Sequence, residues 1–292
     1  MKVKEIIKSV IRWSLVVLGT IALAVFLRVF IFDTYTIPTP SMEPAIMSGD
    51  HVVVNKFVPG PRITMNFFSL GKGEKPVFLR VAGWKVNRND VLIFNYPYPG
   101  GEQLDLDPDL YYAKRCVAIP GDTFYVDNGF YRVKGLPDTL GYRRNQRILS
   151  ERADHEFSPG VYHCYPHDSR YGWNVKSFGP LYVPKRGATV SVDSLSIALY
   201  GKLIAYETEK PVSVKNGTVT LGDSAIGAYT FDRNYYFMAG DYVLDSRDSR
   251  YWGLLPEDHI TGKVAFVWNN RNRSTGKVRW NRFLKKMKPD NR

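Results

Sequence analysis

The stretch "IPTPSMEPAIMSGD" (residues 37–50) places one serine among three prolines. Pro38, Pro40 and Pro44 fix their own backbone angles and push the residue before each out of helical conformation. A central strand rejects them too. Ser41 is therefore predicted on a stiff, irregular segment. Just before it, "WSLVVLGTIALAVFLRVFIF" (13–32) runs for twenty residues with a single charge, Arg28. That length spans a bilayer core. Lys2, Lys4, Lys8 and Arg12 precede the run, an asymmetry that puts the N-terminus in the cytoplasm and the bulk outside. Ala22-Leu23-Ala24 offers a small-residue cleavage site, but the residues after it stay apolar, so a retained anchor is expected.

Beyond the anchor, period-two runs and tight turns dominate. "HVVVNKF", "DVLIFNY", "YYAKRCVAI" and "KVAFVWN" are short β-branched and aromatic segments. Asn128-Gly129 and Asn216-Gly217 each sit between strand-like residues, a strong hairpin signal. No long amphipathic helix is evident. The expected fold is mainly β, with antiparallel sheets behind one N-terminal helix and a smaller inserted β-rich domain. The expected organisation is a tail at 1–12, an anchor at 13–32, a main domain at 33–123 and 236–270, an insert at 124–235, and a basic tail at 271–292. Met65, Phe67, Phe68 and Trp84, in the Gly- and aromatic-rich stretch 63–84, are expected to meet either the outer leaflet or the core.

The formal net charge is +12, which suggests an anionic partner. Nine of the 40 Lys/Arg lie between Arg271 and Arg292 against one acid, Asp290. Trp280, Phe283 and Leu284 are interleaved there, so this tail reads as solvated or lipid-touching; no nucleic-acid motif accompanies it. Cys116 and Cys164 lie where a disulfide is permitted, but two cysteines do not establish one.

Most candidate chemistry is weak. No G-x-S-x-G elbow supports a Ser-His-Asp hydrolase. His51 reads as a surface or turn residue. His155, His163, Cys164 and His167 have metal-ligand types, but Pro166 breaks their spacing. Asp105, Asp107 and Asp109 read as solvated loop charge. Ser41 remains, and a serine needs a base. Without histidine the best base is a lysine kept neutral by burial. Lys114 fits, on an apolar strand-like run where it shares a face with Tyr112 and Cys116 while Arg115 points the other way, although the run taken alone reads more readily as holding a surface lysine at a sheet edge.

Together, "PTPSMEPAIMSGD", "NDVLIFNYP", "KRCVAIPGD" and "GDYVLDSRDSRYWGLLP", in this order behind an anchor, closely resemble the boxes of type I signal peptidases. These are membrane-bound Ser-Lys proteases of the bacterial cytoplasmic membrane. The resemblance implies Ser41 as nucleophile, Lys114 as general base and Thr39 as an oxyanion donor. It also implies that Ser246 hydrogen-bonds the lysine, and that Asp248 and Arg250 brace the site with Arg115. By motif position, Tyr35, Ile37, Met42, Ile46, Ile93 and Ala113 are the substrate-pocket candidates. The implied partners are precursors bearing signal peptides, the bilayer and the secretion translocon; no metal, cofactor or nucleic acid is implied. Pro40 and Asn89 stand where the family favours glycine, and Tyr242, Val243 and Leu244 replace polar residues. Self-cleaving repressors share the dyad but carry a DNA-binding domain instead of an anchor. The rival of another class is a non-catalytic anchored scaffold at the secretion channel.

Overall fold

The computed structural model describes residues 2–64, 78–81, 83, 85–137, 140–271 and 275–287. Met65, Phe67, Phe68 and Trp84, named above for lipid or core contact, lie outside the described residues.

Helix α1 (Lys2–Phe30) is the one described helix long and apolar enough to cross a membrane, and none of its apolar window is buried against the rest of the chain. It leads directly into a large antiparallel sheet. In chain order the strands are β1 (Phe32–Thr36), β2 (Asp50–Asn55), β3 (Val91–Asn95), β4 (Tyr111–Ala118), β5 (Tyr235–Ala239), β6 (Leu255–Pro256), β7 (Ile260–Asn270) and β8 (Lys285–Lys286). Their spatial order is β1-β2-β7-β3-β4-β5-β6, with β8 paired to β7. The late strand β7 thus lies between two early ones. Its register shifts by a residue at three places, twice against β2 and once against β3. Such bulges bend and twist a strand. The sheet curls enough to bring the Tyr35 ring on β1 within 5.0 Å of the Tyr111 ring on β4, which is not its neighbour in the sheet.

The two faces of the sheet carry separate cores. β3 is buried throughout, and alternation sends Val91 and Ile93 to one face and Leu92 and Phe94 to the other. The first face holds a small cluster in which Val52, Val54, Val264 and Val267 meet Ile37, Met42 and Ile46 of the proline-rich segment. The second face belongs to a larger core that continues into residues 124–235, through Phe124, Phe178, Leu203, Ile204 and Phe231. The intervening region therefore packs against the sheet as one continuous interior.

That region holds the two expected hairpins. Asn128 and Gly129 have φ 45° and 83°, and Asn216 and Gly217 have φ 50° and 78°, the left-handed pair that a type I′ turn needs. Besides a single turn at Pro159–Tyr162, it holds two longer helices that the sequence reading missed: α2 (Arg143–Glu151) and α3 (Ile197–Thr208). In α3 the buried Leu199, Tyr200, Leu203 and Ile204 are spaced as one helical stripe, a signal that was available. α2 is short and strongly polar, and only Gln146 and Leu149 are buried, so it has no such stripe. Cys116 and Cys164 are both free and buried.

Phe237 ties the interior together. It is fully buried on β5, stacked on Phe124 at 4.1 Å and edge-on to Phe178 at 5.4 Å. Phe237→Ala is expected to cost ~3–5 kcal/mol in chemical denaturation. A loss below ~1 kcal/mol would mean that the two regions do not share a core.

Candidate active site

The site begins where the prolines forbid regular structure. Residues 37–50 form a succession of turns with their ends tied together. Ile37 N–H donates to Asp50 O at 2.8 Å, and Gly49 N–H donates to Ile37 O at 2.9 Å. Gly49 has φ +89°, so the closing turn suits a residue without a Cβ. Within this loop Ser41 is half-buried. Its carbonyl accepts from Tyr242 N–H at 3.1 Å, which moors the serine backbone to the segment after β5. The Thr39 hydroxyl lies 3.5 Å from Ser41 Oγ.

Lys114 arrives from β4. It stands opposite Leu92 of β3 and is 2% exposed, and its Nζ donates to Ser41 Oγ at 2.5 Å. Burial lowers its pKa from 10.5 to about 8; Asp248 opposes the shift and Arg250 adds to it. An ordinary lysine is almost wholly protonated at neutral pH, whereas one near 8 is neutral often enough to act as a base.

Arg115 is also buried, at 1% exposed. It does not point to solvent, nor does it join Asp248 and Arg250. Its guanidinium forms a two-pronged pair with Asp241, Nε to Oδ1 at 2.6 Å and Nη2 to Oδ2 at 2.5 Å, and it donates to Asn89 O at 2.7 Å. A sheet residue facing away from Lys114 meets a second buried layer instead of water. The sequence reading gave Asp241 no role, because 126 residues separate the partners. Asn89, which replaces a family glycine, adopts φ +67°, a conformation asparagine tolerates better than most residues.

Asp248 and Arg250 form another buried pair, both 0% exposed, with Arg250 Nε donating to Asp248 Oδ1 at 2.9 Å. Asp248 Oδ2 also accepts from Gly240 N–H at 2.9 Å, and Arg250 donates to Val243 O at 2.9 Å. Burial pushes the Asp248 carboxyl up, but Arg250 and the Gly240 amide outweigh it, so the net direction is down. Ser246 departs from the expected role. Its Oγ is buried and makes no hydrogen bond, so the implied bond to Lys114 is not formed. The lysine amine is directed at Ser41 instead. Gly240 explains how closely these pieces pack: a Cβ there would lie 2.0 Å from Ser246 Oγ and 2.6 Å from Ser41 O. No side chain fits.

The six pocket candidates come together. Ile37, Met42, Ile46, Ile93 and Ala113 belong to the small core cluster, with Tyr35 packed against it. Ile93 and Ala113 lie on the sheet face opposite Lys114, against Ile37, Met42 and Ile46 of the Ser41 loop itself. The histidines do not join them: His51 contacts the Thr36 hydroxyl at 2.9 Å, and His155 and His163 lie in the intervening region. Among the described residues no His, Cys, Asp and Glu cluster is arranged to hold a metal ion.

A buried lysine amine on an interior strand of the curled antiparallel sheet thus points at a serine on an irregular turn. The family model for signal peptidase, peptidase S26, matches residues 10–269. The chain belongs to that family, whose members remove signal peptides. A signal peptidase I of Buchnera aphidicola is 27% identical over 272 residues, covering 90% of this chain and 78% of its own length. One from Aquifex aeolicus is 28% identical over 266 residues, covering 89% and 83%. One from Helicobacter pylori is 23% identical over 300 residues, covering 96% and 94%.

Removing one partner from a buried ion pair strands the other charge. Asp241→Ala, which leaves the Arg115 guanidinium unpaired, is expected to cost ~3–5 kcal/mol in urea unfolding. Asp241→Ala with wild-type stability would show that the pair is not formed in solution.

Proposed function

We propose that this protein is a membrane-anchored endopeptidase that removes N-terminal signal peptides from secreted precursors by a Ser-Lys mechanism. One observation carries the reading: the desolvated Lys114 amine stands 2.5 Å from Ser41 Oγ. The neutral amine takes the Ser41 proton as Oγ attacks the scissile carbonyl. The oxyanion that forms is met by the Thr39 hydroxyl and the Ser41 N–H. Among the described residues no group accepts from that N–H. The lysine then returns its proton to the leaving amine, and the acyl bond joins Ser41. Water deprotonated by Lys114 attacks this ester and releases the signal peptide.

The substrate enters as an extended strand along the sheet edges near β1 and the start of β4. Small side chains at the first and third positions before the cut fit against Tyr35, Ile37, Met42, Ile46, Ile93 and Ala113. Helix α1 anchors the chain in the bacterial cytoplasmic membrane, with residues 33 onward on the outer face beside the translocon. There the cut is made as the signal helix ends.

Cleavage of a signal-bearing precursor in detergent is the test. Ser41→Ala and Lys114→Arg are expected to lose all cleavage while remaining folded, since arginine cannot release its proton. For the wild type, activity requires the neutral amine, so the rate should rise with pH along a single-proton limb with its midpoint at about 8. A midpoint at the free lysine value, or an active Lys114→Arg, would overturn the assignment.

Thr39→Ala is expected to lower kcat by ~10- to 1000-fold with little change in KM, because its hydroxyl acts on charge that develops in the transition state. A loss confined to KM would instead make Thr39 a binding residue.

A further inference from the structure

The basic C-terminal segment was expected to lie in solvent or lipid, and Trp280 and Phe283 are indeed 76% and 47% exposed. Arg282 between them is not. It is 4% exposed, and it meets Asp50, which is 0% exposed. Its Nε donates to Asp50 Oδ1 and Oδ2 at 2.8 and 3.1 Å, and its Nη2 donates to Asp50 Oδ2. The same Nη2 donates to Ala45 O at 3.0 Å. Asn270, the last residue of β7, donates to Asp50 Oδ1 at 2.5 Å, and Met47 N–H donates to Asp50 Oδ2 at 2.8 Å. Further along, Met287 packs against the cluster that contains Met42 and Ile46.

The polar contacts all fall on the loop that carries Ser41. We infer that Arg282 is a positioning residue: paired with Asp50, it locks residues 45–50 and so fixes Ser41 against Lys114. The inference rests on the reading of Ser41 as nucleophile. A buried ion pair is weak support for stability, because desolvation offsets most of its attraction. What this pair supplies is direction. A planar guanidinium binds a carboxylate in one orientation, and its remaining prong fixes the Ala45 carbonyl, four residues from Ser41. The loop contains no regular ladder to do this. Misplacing a reacting atom by about 1 Å costs ~100-fold in rate, so a loop without this lock would fold and still turn over slowly.

The test uses full-length protein in detergent with a signal-bearing precursor, comparing Arg282→Lys, Arg282→Met, Asp50→Asn and the double variant Asp50→Asn/Arg282→Met. Circular dichroism sets an assay temperature well below each unfolding midpoint. Arg282→Met is expected to lower kcat by ~100-fold with KM within ~3-fold of wild type. Arg282→Lys, which keeps the charge but not the fork, should recover about a tenth of wild-type activity or more. The double variant should be no slower than Arg282→Met, since both break one link. A kcat that falls only with the folded fraction, or a loss carried by KM, overturns the proposal. If Arg282→Met does not fold, Asp50→Asn and Arg282→Lys decide by the same criteria. Ser41→Ala separates the two levels. If it cleaves, the nucleophile assignment fails and this proposal with it; if it is inert while Arg282→Met has full kcat, only the positioning role fails.

Discussion

The structure turns on keeping one lysine out of water. A lysine on a sheet surface would stay charged and useless as a base. Lys114 sits on β4, flanked by β3 and β5, where both neighbouring strands are completely buried. Desolvation drives its pKa down, while the nearby Asp248 would restore the charge if left free. Arg250 claims Asp248 through the bonds described above and adds its own repulsion. The second pair, Arg115 with Asp241, supports the same strand from its other face. Both pairs thus balance charge close to Lys114, which belongs to neither.

Three distant parts of the chain supply this arrangement. The proline-rich loop gives the serine, β4 gives the lysine, and residues 240–250 give the packing that joins them. The intervening region also contributes. Asn145 on α2 donates to Asp241 O at 2.7 Å and reaches Glu43 O at 3.4 Å, so a helix of the insert touches both the serine loop and the segment behind it. The intervening region braces the site as well as enlarging the core.

What the sequence made legible was local. Proline spacing marked the Ser41 loop as irregular, Asn-Gly pairs marked two hairpins, and the apolar run around Lys114 admitted a buried lysine there, its role being implied only by the family resemblance. Two of the misses were questions of distance along the chain. Nothing near Arg115 in the chain names Asp241, and nothing near Arg282 names Asp50, 232 residues away. A count of basic residues therefore placed Arg282 in solvent or against lipid. Ser246 shows a different limit: motif position placed it near the lysine, but the direction of its hydroxyl depends on packing that no motif encodes.

The order of strands has a consequence for when the site exists. β7 joins β2 to β3, yet it is translated after both, and Arg282 comes later still. Until that portion emerges, the serine loop and the lysine strand belong to fragments with no shared ladder. Pairing across such separations is slow to form. A growing chain therefore passes through synthesis in a latent state. The serine loop and the lysine strand join one sheet only once β7 has been made.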